Sequence, residues 1–175
     1  TAFDGYNATL YPMTADLSPA TGHAVTGRVL ALANTSGKVA GSAFTVIGCD
    51  VLINGEVVAT TGADGVFTIP SLAAGTYTAT LSYAYGYDRD IEITVADGDV
   101  DLGTYGMVVC NFKKDATVDA SDYSAYKRAT GKSSSDDAYN AACDFNHDGN
   151  IDATDYSIYK AFTGKNLNND IYANA

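Results

Sequence analysis

Residues 110–132 and 143–165 are two copies of one segment, set 33 residues apart and identical at 13 of 23 positions. Unrelated segments of this length agree at roughly one or two places, so the chain contains a true internal duplication. Each copy opens on Cys and Phe and ends on Tyr-Ser-x-Tyr-Lys and Thr-Gly-Lys. Two units are too few for a solenoid, whose core closes only when at least about three stack. They can instead pair face to face as equivalent halves about a pseudo-two-fold axis.

The second copy carries Asp144-Phe145-Asn146-His147-Asp148-Gly149-Asn150-Ile151-Asp152-Ala153-Thr154-Asp155. This spacing is that of an EF-hand loop, with Asp for Glu at the twelfth place. The chemistry follows from position. Asp144, Asn146 and Asp148 offer side-chain oxygens at places 1, 3 and 5, and Gly149 takes the sharp turn at place 6. Asn150 lends its carbonyl at place 7, Asp152 acts at place 9 directly or through water, and Asp155 closes the shell. Calcium is therefore expected here. Ile151 should anchor the loop in the core. The first copy is weaker: Asn111, Lys113, Asp115, Ala116, Thr117, Asp119 and Asp122 fill places 1, 3, 5, 6, 7, 9 and 12. A neutral Asn opens it, and Lys113 removes a ligand. A left-handed Ala116 would cost about 1 kcal/mol. Either this loop holds a second calcium through Asn111, Asp115, Thr117, Asp119 and Asp122, or the Lys113 or Lys114 ammonium takes the metal's place.

Each loop should run into a helix, Ala120–Thr130 and Ala153–Thr163, with a shorter helix over Asp136–Ala142 between them. Ahead of the duplication the pattern changes. Residues 1–109 hold 14 of the 17 glycines and read as short alternating strands. Asn54-Gly55 between Asp50–Ile53 and Glu56–Ala59 signals a type I′ hairpin. Further strands are expected at Val25–Leu32, Val66–Ile69 (ended by Pro70), Thr76–Tyr83, Arg89–Val95, Val100–Leu102 and Met107–Val109. About seven strands at regular spacing imply an antiparallel β-sandwich. The expected organisation is a sandwich over 1–109 with a leading segment 1–22, a small helical unit over 110–166 and a tail over 167–175. No Pro- or Ser-rich linker separates sandwich and repeat, so the two should pack together.

Two resemblances follow. Gly65-Val66-Phe67-Thr68-Ile69, Leu72, Gly75-Thr76-Tyr77 and Gly86-Tyr87 resemble the carboxypeptidase-regulatory-like or Cna-B-like β-sandwich, a spacer module of bacterial surface proteins. The loop–helix, connecting helix, loop–helix layout with its duplicated calcium pattern resembles the dockerin module, and a sandwich directly before it resembles an X-module–dockerin pair. Tyr123, Tyr126, Tyr156 and Tyr159 stand where dockerins usually carry Leu, a flavour similar to ruminococcal dockerins. The resemblance implies a secreted, non-catalytic, calcium-dependent module. It would plug into a cohesin on a scaffoldin or cell-surface anchor. The family's contact positions map onto Ala120, Ser121, Ser124, Ala125 and Arg128 in one copy, and onto Ala153, Thr154, Ser157, Ile158 and Ala161 in the other. Lys127, Lys160 and Phe162 flank them. The stripes differ at Ala125/Ile158 and Arg128/Ala161, so one orientation led by Ile158 is expected. The tyrosine rings should build the small core.

The remaining features exclude more than they suggest. A charge of −11 without a basic stripe argues against nucleic acid and anionic membranes. No apolar run reaches the ~20 residues of a membrane span. Nineteen of the 21 acids are Asp, and the two Glu lie in expected strands, so no glycosidase pair is visible. The first residue is Thr and no secretion signal is visible, which suggests a processed chain or a piece of a larger one. Tyr83, Tyr85 and Tyr87 alternate and could stack polysaccharide. A carbohydrate-binding module is therefore the alternative function. Cys110 and Cys143 stand at equivalent positions and would need Cα atoms within about 7 Å to bond. Asn34-Thr35-Ser36 matches a glycosylation acceptor.

Overall fold

A computed structural model describes residues 22–31 and 44–165. Most of the leading segment, the Asn34 acceptor and the tail lie outside the described residues. Among the described residues, eight strands precede the duplication: β1 (His23–Ala31), β2 (Phe44–Thr45), β3 (Asp50–Ile53), β4 (Glu56–Thr60), β5 (Val66–Leu72), β6 (Gly75–Ser82), β7 (Arg89–Val95) and β8 (Val100–Met107). One sheet runs β4-β3-β6-β7 and is antiparallel throughout. In the other, β1 pairs antiparallel with β2 and β5 along one side and parallel with β8 along the other. The period of two sends Val25, Val29, Phe67 and Ile69 inward from the second sheet, to meet Val51, Ala79, Leu81, Ile91 and Ile93 of the first.

The Asn54-Gly55 turn forms as expected, with φ of 53° and 82°. Gly27 has a steric reason: a Cβ there would lie 2.5 Å from the Phe67 ring. Pro70 does not end its strand. β5 continues to Leu72 because its pairing with β1 shifts register between His23 and Val25, opposite Pro70. An exposed proline on an edge strand beside a bulge loses no ladder bond. The two short strands expected at the end are one strand, β8, with Gly103 at φ 70° absorbing the irregularity.

β8 leads straight into the duplication. Val108, Val109 and Cys110 are buried, and the chain stays hydrogen-bonded on the way: the Tyr87 N–H donates to the Val108 carbonyl (3.2 Å) and the Asn111 N–H to the Tyr85 carbonyl (2.9 Å). Two helices follow, α1 (Ala120–Ala129) and α2 (Ala153–Phe162). The connecting helix expected over Asp136–Ala142 is absent. A turn held by Asp136, which accepts from the Ser133 N–H, takes its place, followed by a single 3₁₀ turn at Ala141–Cys143. The Ser/Asp-rich stretch satisfies its own backbone, which competes with helix formation. All three cysteines are buried and free, so Cys110 and Cys143 are not bonded.

Candidate metal loops and docking face

The two copies are braced by reciprocal contacts. Asp119 and Asp152 N-cap their helices, and Asp122 and Asp155 return the capping-box bond at the third helical position. The Tyr126 hydroxyl donates to the Asp152 carbonyl at 2.6 Å. Tyr159, its counterpart 33 residues on, donates to the Asp119 carbonyl at the same 2.6 Å. The loop backbones cross as well. The Val118 N–H donates to the Lys165 carbonyl and the Gly164 N–H to that of Val118; the Ile151 N–H donates to the Lys132 carbonyl and the Gly131 N–H to that of Ile151. Each loop is thus completed by the end of the other copy, as a pseudo-two-fold demands. Nothing in the helical periodicity revealed the hydroxyl braces. The one available signal was Tyr at positions where an aliphatic side chain would fill the same space.

In the second loop, Asp144 accepts from the Asp148 N–H (3.1 Å), the Gly149 N–H (2.8 Å) and the Tyr139 hydroxyl (2.6 Å). That last bond pushes the Tyr139 phenol up to about 12. Asp155 accepts from the N–H groups of Phe145 (2.7 Å), Asn146 (3.4 Å) and Asp152 (2.9 Å). Burial raises its carboxyl above the ordinary range, against the pull of those N–H donors. Asp148 accepts from the Asn150 N–H and the Asn146 side chain, and the latter bond foremost lowers its carboxyl. Asp152 accepts from the Thr154 N–H. Gly149 sits at φ 86°, as place 6 requires.

Asp144 and Asp155 are 2% and 0% exposed, and no cationic side chain pairs with either among the described residues. Burying a carboxylate costs several kcal/mol unless a countercharge meets it. The loop offers only oxygen: carboxylates, the Asn146 amide and the Asn150 carbonyl. A hard divalent cation fits that set. Asp144 and Asp155 each use three of about four acceptor sites, which leaves capacity for an ion. Among the described residues, however, no three His, Cys, Asp or Glu side chains gather round one point, because each carboxylate is turned onto its own loop's backbone.

The first loop is closed differently. The Asn111 side chain donates to the Asp115 carbonyl (2.8 Å) and accepts from the Asp115 N–H (3.2 Å). This neutral amide clip needs no ion, and a carboxylate could not make its donating half. Asp115 caps the Thr117 N–H, and Asp122, fully buried, accepts from Lys113 and Asp119 N–H groups. Hydrogen bonds from Ser121 lower the Asp119 carboxyl. Two expectations fail here. Ala116 is not left-handed; its Cβ is accommodated because the turn falls at Lys114, φ 54°, alone. Nor does the Lys114 ammonium enter the loop, for it pairs with Asp88 of the sandwich at 2.7 Å.

Residues 112–162 match the family model of the dockerin type I domain. The sandwich and helices together are similar to the chain solved as a C-terminal interface mutant of the type II cohesin–X-dockerin complex from Acetivibrio cellulolyticus. Identity is 27%, coverage is 83% of this chain and 97% of that one, and the TM-score is 0.59. An N-terminal interface mutant of the same complex matches over the same shares at 27% identity and a TM-score of 0.57. Residues 112–162 are thus dockerin-like, and the β domain before them is similar to an X-module. Nothing among curated proteins matches. Type I dockerin domains generally bind calcium, and both matched modules are of non-catalytic kinds.

The X-module-like domain touches both copies, the first through Asn111, Phe112 and Lys114, and it also covers one flank of α2. Ile158 and Phe145 face Ala31, Phe44, Val46, Tyr83 and Val109 across a void of only ≈ 20 Å³. His147 reaches the Thr45 carbonyl (3.2 Å), and the Tyr87 hydroxyl donates to that of Lys165 (3.0 Å). Ile158 and Phe162 are therefore core residues, 6% and 1% exposed, and cannot lead a docking stripe. A β-domain packed across that flank of α2 was not visible from the helical period alone. Ala153, Thr154, Ser157, Lys160 and Ala161 remain exposed on α2. On α1, Ala120, Ser124, Lys127 and Arg128 are exposed and Ser121 and Ala125 half-buried; Ser121, Ser124, Ala125 and Arg128 line an open hollow of ≈ 300 Å³ with Phe112 and Lys113.

The tyrosines divide. Tyr126 and Tyr159 are buried as expected, but Tyr156 is 41% exposed. The strand face proposed for Tyr83, Tyr85 and Tyr87 does not form. β6 ends at Ser82, Tyr87 is buried, and the Tyr85 ring packs 5.4 Å from Phe112. Burial pushes Tyr83 and Tyr87 up to about 12. These rings hold sandwich and dockerin together and offer no platform for stacked sugars.

Proposed function

We propose that this chain is a calcium-dependent cohesin-binding X-module–dockerin, which fixes its parent protein to an extracellular scaffoldin or cell-surface anchor. The observation that carries the reading is the Asp144–Asp155 loop, whose buried Asp144 and Asp155 pair with no cationic side chain among the described residues. The likeness to chains solved in cohesin complexes supports it. Calcium would be held by Asp144, Asn146, Asp148, Asp152 and Asp155 with the Asn150 carbonyl, neutralising charge that the fold otherwise buries at a cost. The loop over 111–122 works without metal, closed by the Asn111 clip.

Docking uses the exposed residues of α1 and α2. With Ile158 covered, the two copies no longer present equal surfaces, so the partner binds in one preferred orientation. The β domain, up to about residue 109, braces the dockerin of 110–166. A screen of purified cohesins against the full chain, in excess calcium and in EDTA, tests this. Binding to at least one cohesin, lost in EDTA and restored by calcium, is expected. Binding that ignores chelation would overturn the calcium dependence, and silence across the panel would overturn the function.

A further inference from the structure

The furrow between α1 and α2 is walled by aromatic rings. Tyr123 and Tyr156 meet across it at 6.0 Å, above Tyr126 and Tyr159. Two hollows open on either side of that ring pair. The larger, ≈ 460 Å³, is lined by Ala120, Tyr123, Tyr156, Tyr159, Lys160 and Thr163. The smaller, ≈ 340 Å³, includes Tyr123, Tyr126, Tyr156 and Ala153, positions that the pseudo-two-fold largely exchanges with the first set. The hydroxyls of Tyr126 and Tyr159 are committed to backbone carbonyls, so the floor presents ring surface. Asp152 is the sole carboxylate on either lining, and it caps α2.

Charge at the furrow is sparse: Lys160 is the one cation and Asp152 the one carboxylate on the two linings. The only acids within α1 and α2 are Asp122 and Asp155, both fully buried. Lys127, Arg128 and Lys160 all face solvent, on a protein of net charge −11. Lys160 lies 6.0 Å from the Tyr156 ring, beside the larger hollow. Its counterpart Lys127 does not line the smaller one.

We infer that this tyrosine furrow is the centre of the docking seat. It takes two apolar side chains of the partner protein, a cohesin, into the paired hollows, while a partner carboxylate meets Lys160 beside the Tyr156 ring. The inference rests on the cohesin-docking reading above, and it names residues and a partner chemistry that the reading does not require. Amphipathic rings that are held rigid bury large area at little entropic cost, which is why tyrosines dominate such seats. A sugar would need several fixed amide or carboxylate acceptors in the hollows, and Asp152, already capping α2, is the one carboxylate on the linings. The unequal hollows, with one lysine, also distinguish the two orientations that the fold's symmetry would otherwise leave equal.

The test uses the full chain in calcium with a purified cohesin that captures the unaltered protein. Tyr156→Ala should weaken binding about tenfold or more, a hot-spot loss. Tyr156→Phe should stay close to the unaltered protein, and Lys160→Glu should weaken binding most at low salt. Circular dichroism melts check that each variant is folded; Tyr156 is half out in solvent and tolerates truncation. If the unaltered chain binds and Tyr156→Ala binds equally well, the inference is wrong while the cohesin reading stands. If no cohesin binds the unaltered chain, both fall. Retention on insoluble polysaccharide that Tyr156→Ala abolishes would make sugar the occupant and overturn the inference.

Discussion

Replacing Asp155 by Asn separates the roles of charge and geometry in the second loop. Asp155 accepts three backbone N–H groups, two on Oδ1 and one on Oδ2. Asn keeps one carbonyl oxygen for Phe145 and Asn146 but turns an NH₂ toward the Asp152 N–H, so the return bond of the capping box is lost, at about 1 kcal/mol. The substitution also removes a negative charge from a fully buried site near Asp144, which offsets that loss. In EDTA the two terms nearly cancel, and the melting temperature should barely change. In calcium the balance differs. At a hundredfold excess over its Kd an ion adds about 2.7 kcal/mol to the unaltered protein. A neutral ligand at place 12 forfeits most of that. At about 2–4 °C per kcal/mol for a chain of this size, the variant should melt roughly 5–10 °C below the unaltered protein. Asp122→Asn is the internal control: it breaks an equivalent pair of bonds, from Lys113 and Asp119, in the loop closed by Asn111. Its effect should be alike in calcium and EDTA. Calorimetry of the three proteins under both conditions decides the matter, and a calcium-independent shift for Asp155→Asn would refute the metal assignment.

Other outcomes can be stated briefly. Tyr126→Phe and Tyr159→Phe should each cost about 1 kcal/mol in urea unfolding, by nearly equal amounts, because they remove symmetry-related 2.6 Å bonds. Markedly unequal losses would argue against the reciprocal brace. Ile158→Ala should destabilise by about 2–4 kcal/mol through a cavity beside the β domain, whereas Ala125→Ser should be nearly silent in the same melts. Tyr87→Phe should speed hydrogen exchange at the Gly164 N–H by releasing the neighbouring Lys165 carbonyl, leaving β7 protection unaltered. Lys114→Met should change stability by less than about 1 kcal/mol, since its pair with Asp88 is half exposed.

The duplication made the helical half legible. Identical residues in both copies put both helices within a residue of their observed places, because the signals are local, although the aspartates that cap them were read only as metal ligands. The Asn54-Gly55 hairpin and the alternation of β7 were readable for the same reason. What failed depends on distant partners. Ile158 lies on an ordinary helical stripe and is buried only because Ala31, Phe44 and Val46 arrive from far upstream. Tyr83, Tyr85 and Tyr87 alternate like a strand face, yet the chain turns after Ser82 and delivers them to the junction with Phe112. Pro70 was read by its missing donor, without knowledge that it would fall at an edge beside a bulge. The parallel pairing of β1 with β8 has no local signature at all, because it joins residues about 75 apart.

The swapped edges, Val118 on Gly164–Lys165 and Ile151 on Gly131–Lys132, also govern when the dockerin can exist. The first copy holds every residue of its own turn and helix, but the segment that seals it, Gly164–Lys165, is the final stretch of the second. A nascent chain emerging from the ribosome cannot lock either half early, and a protease that trims the last turn of α2 unseals a loop more than 40 residues upstream. Such wiring turns two copies into a single all-or-none latch, and it withholds a half-built hook from any partner.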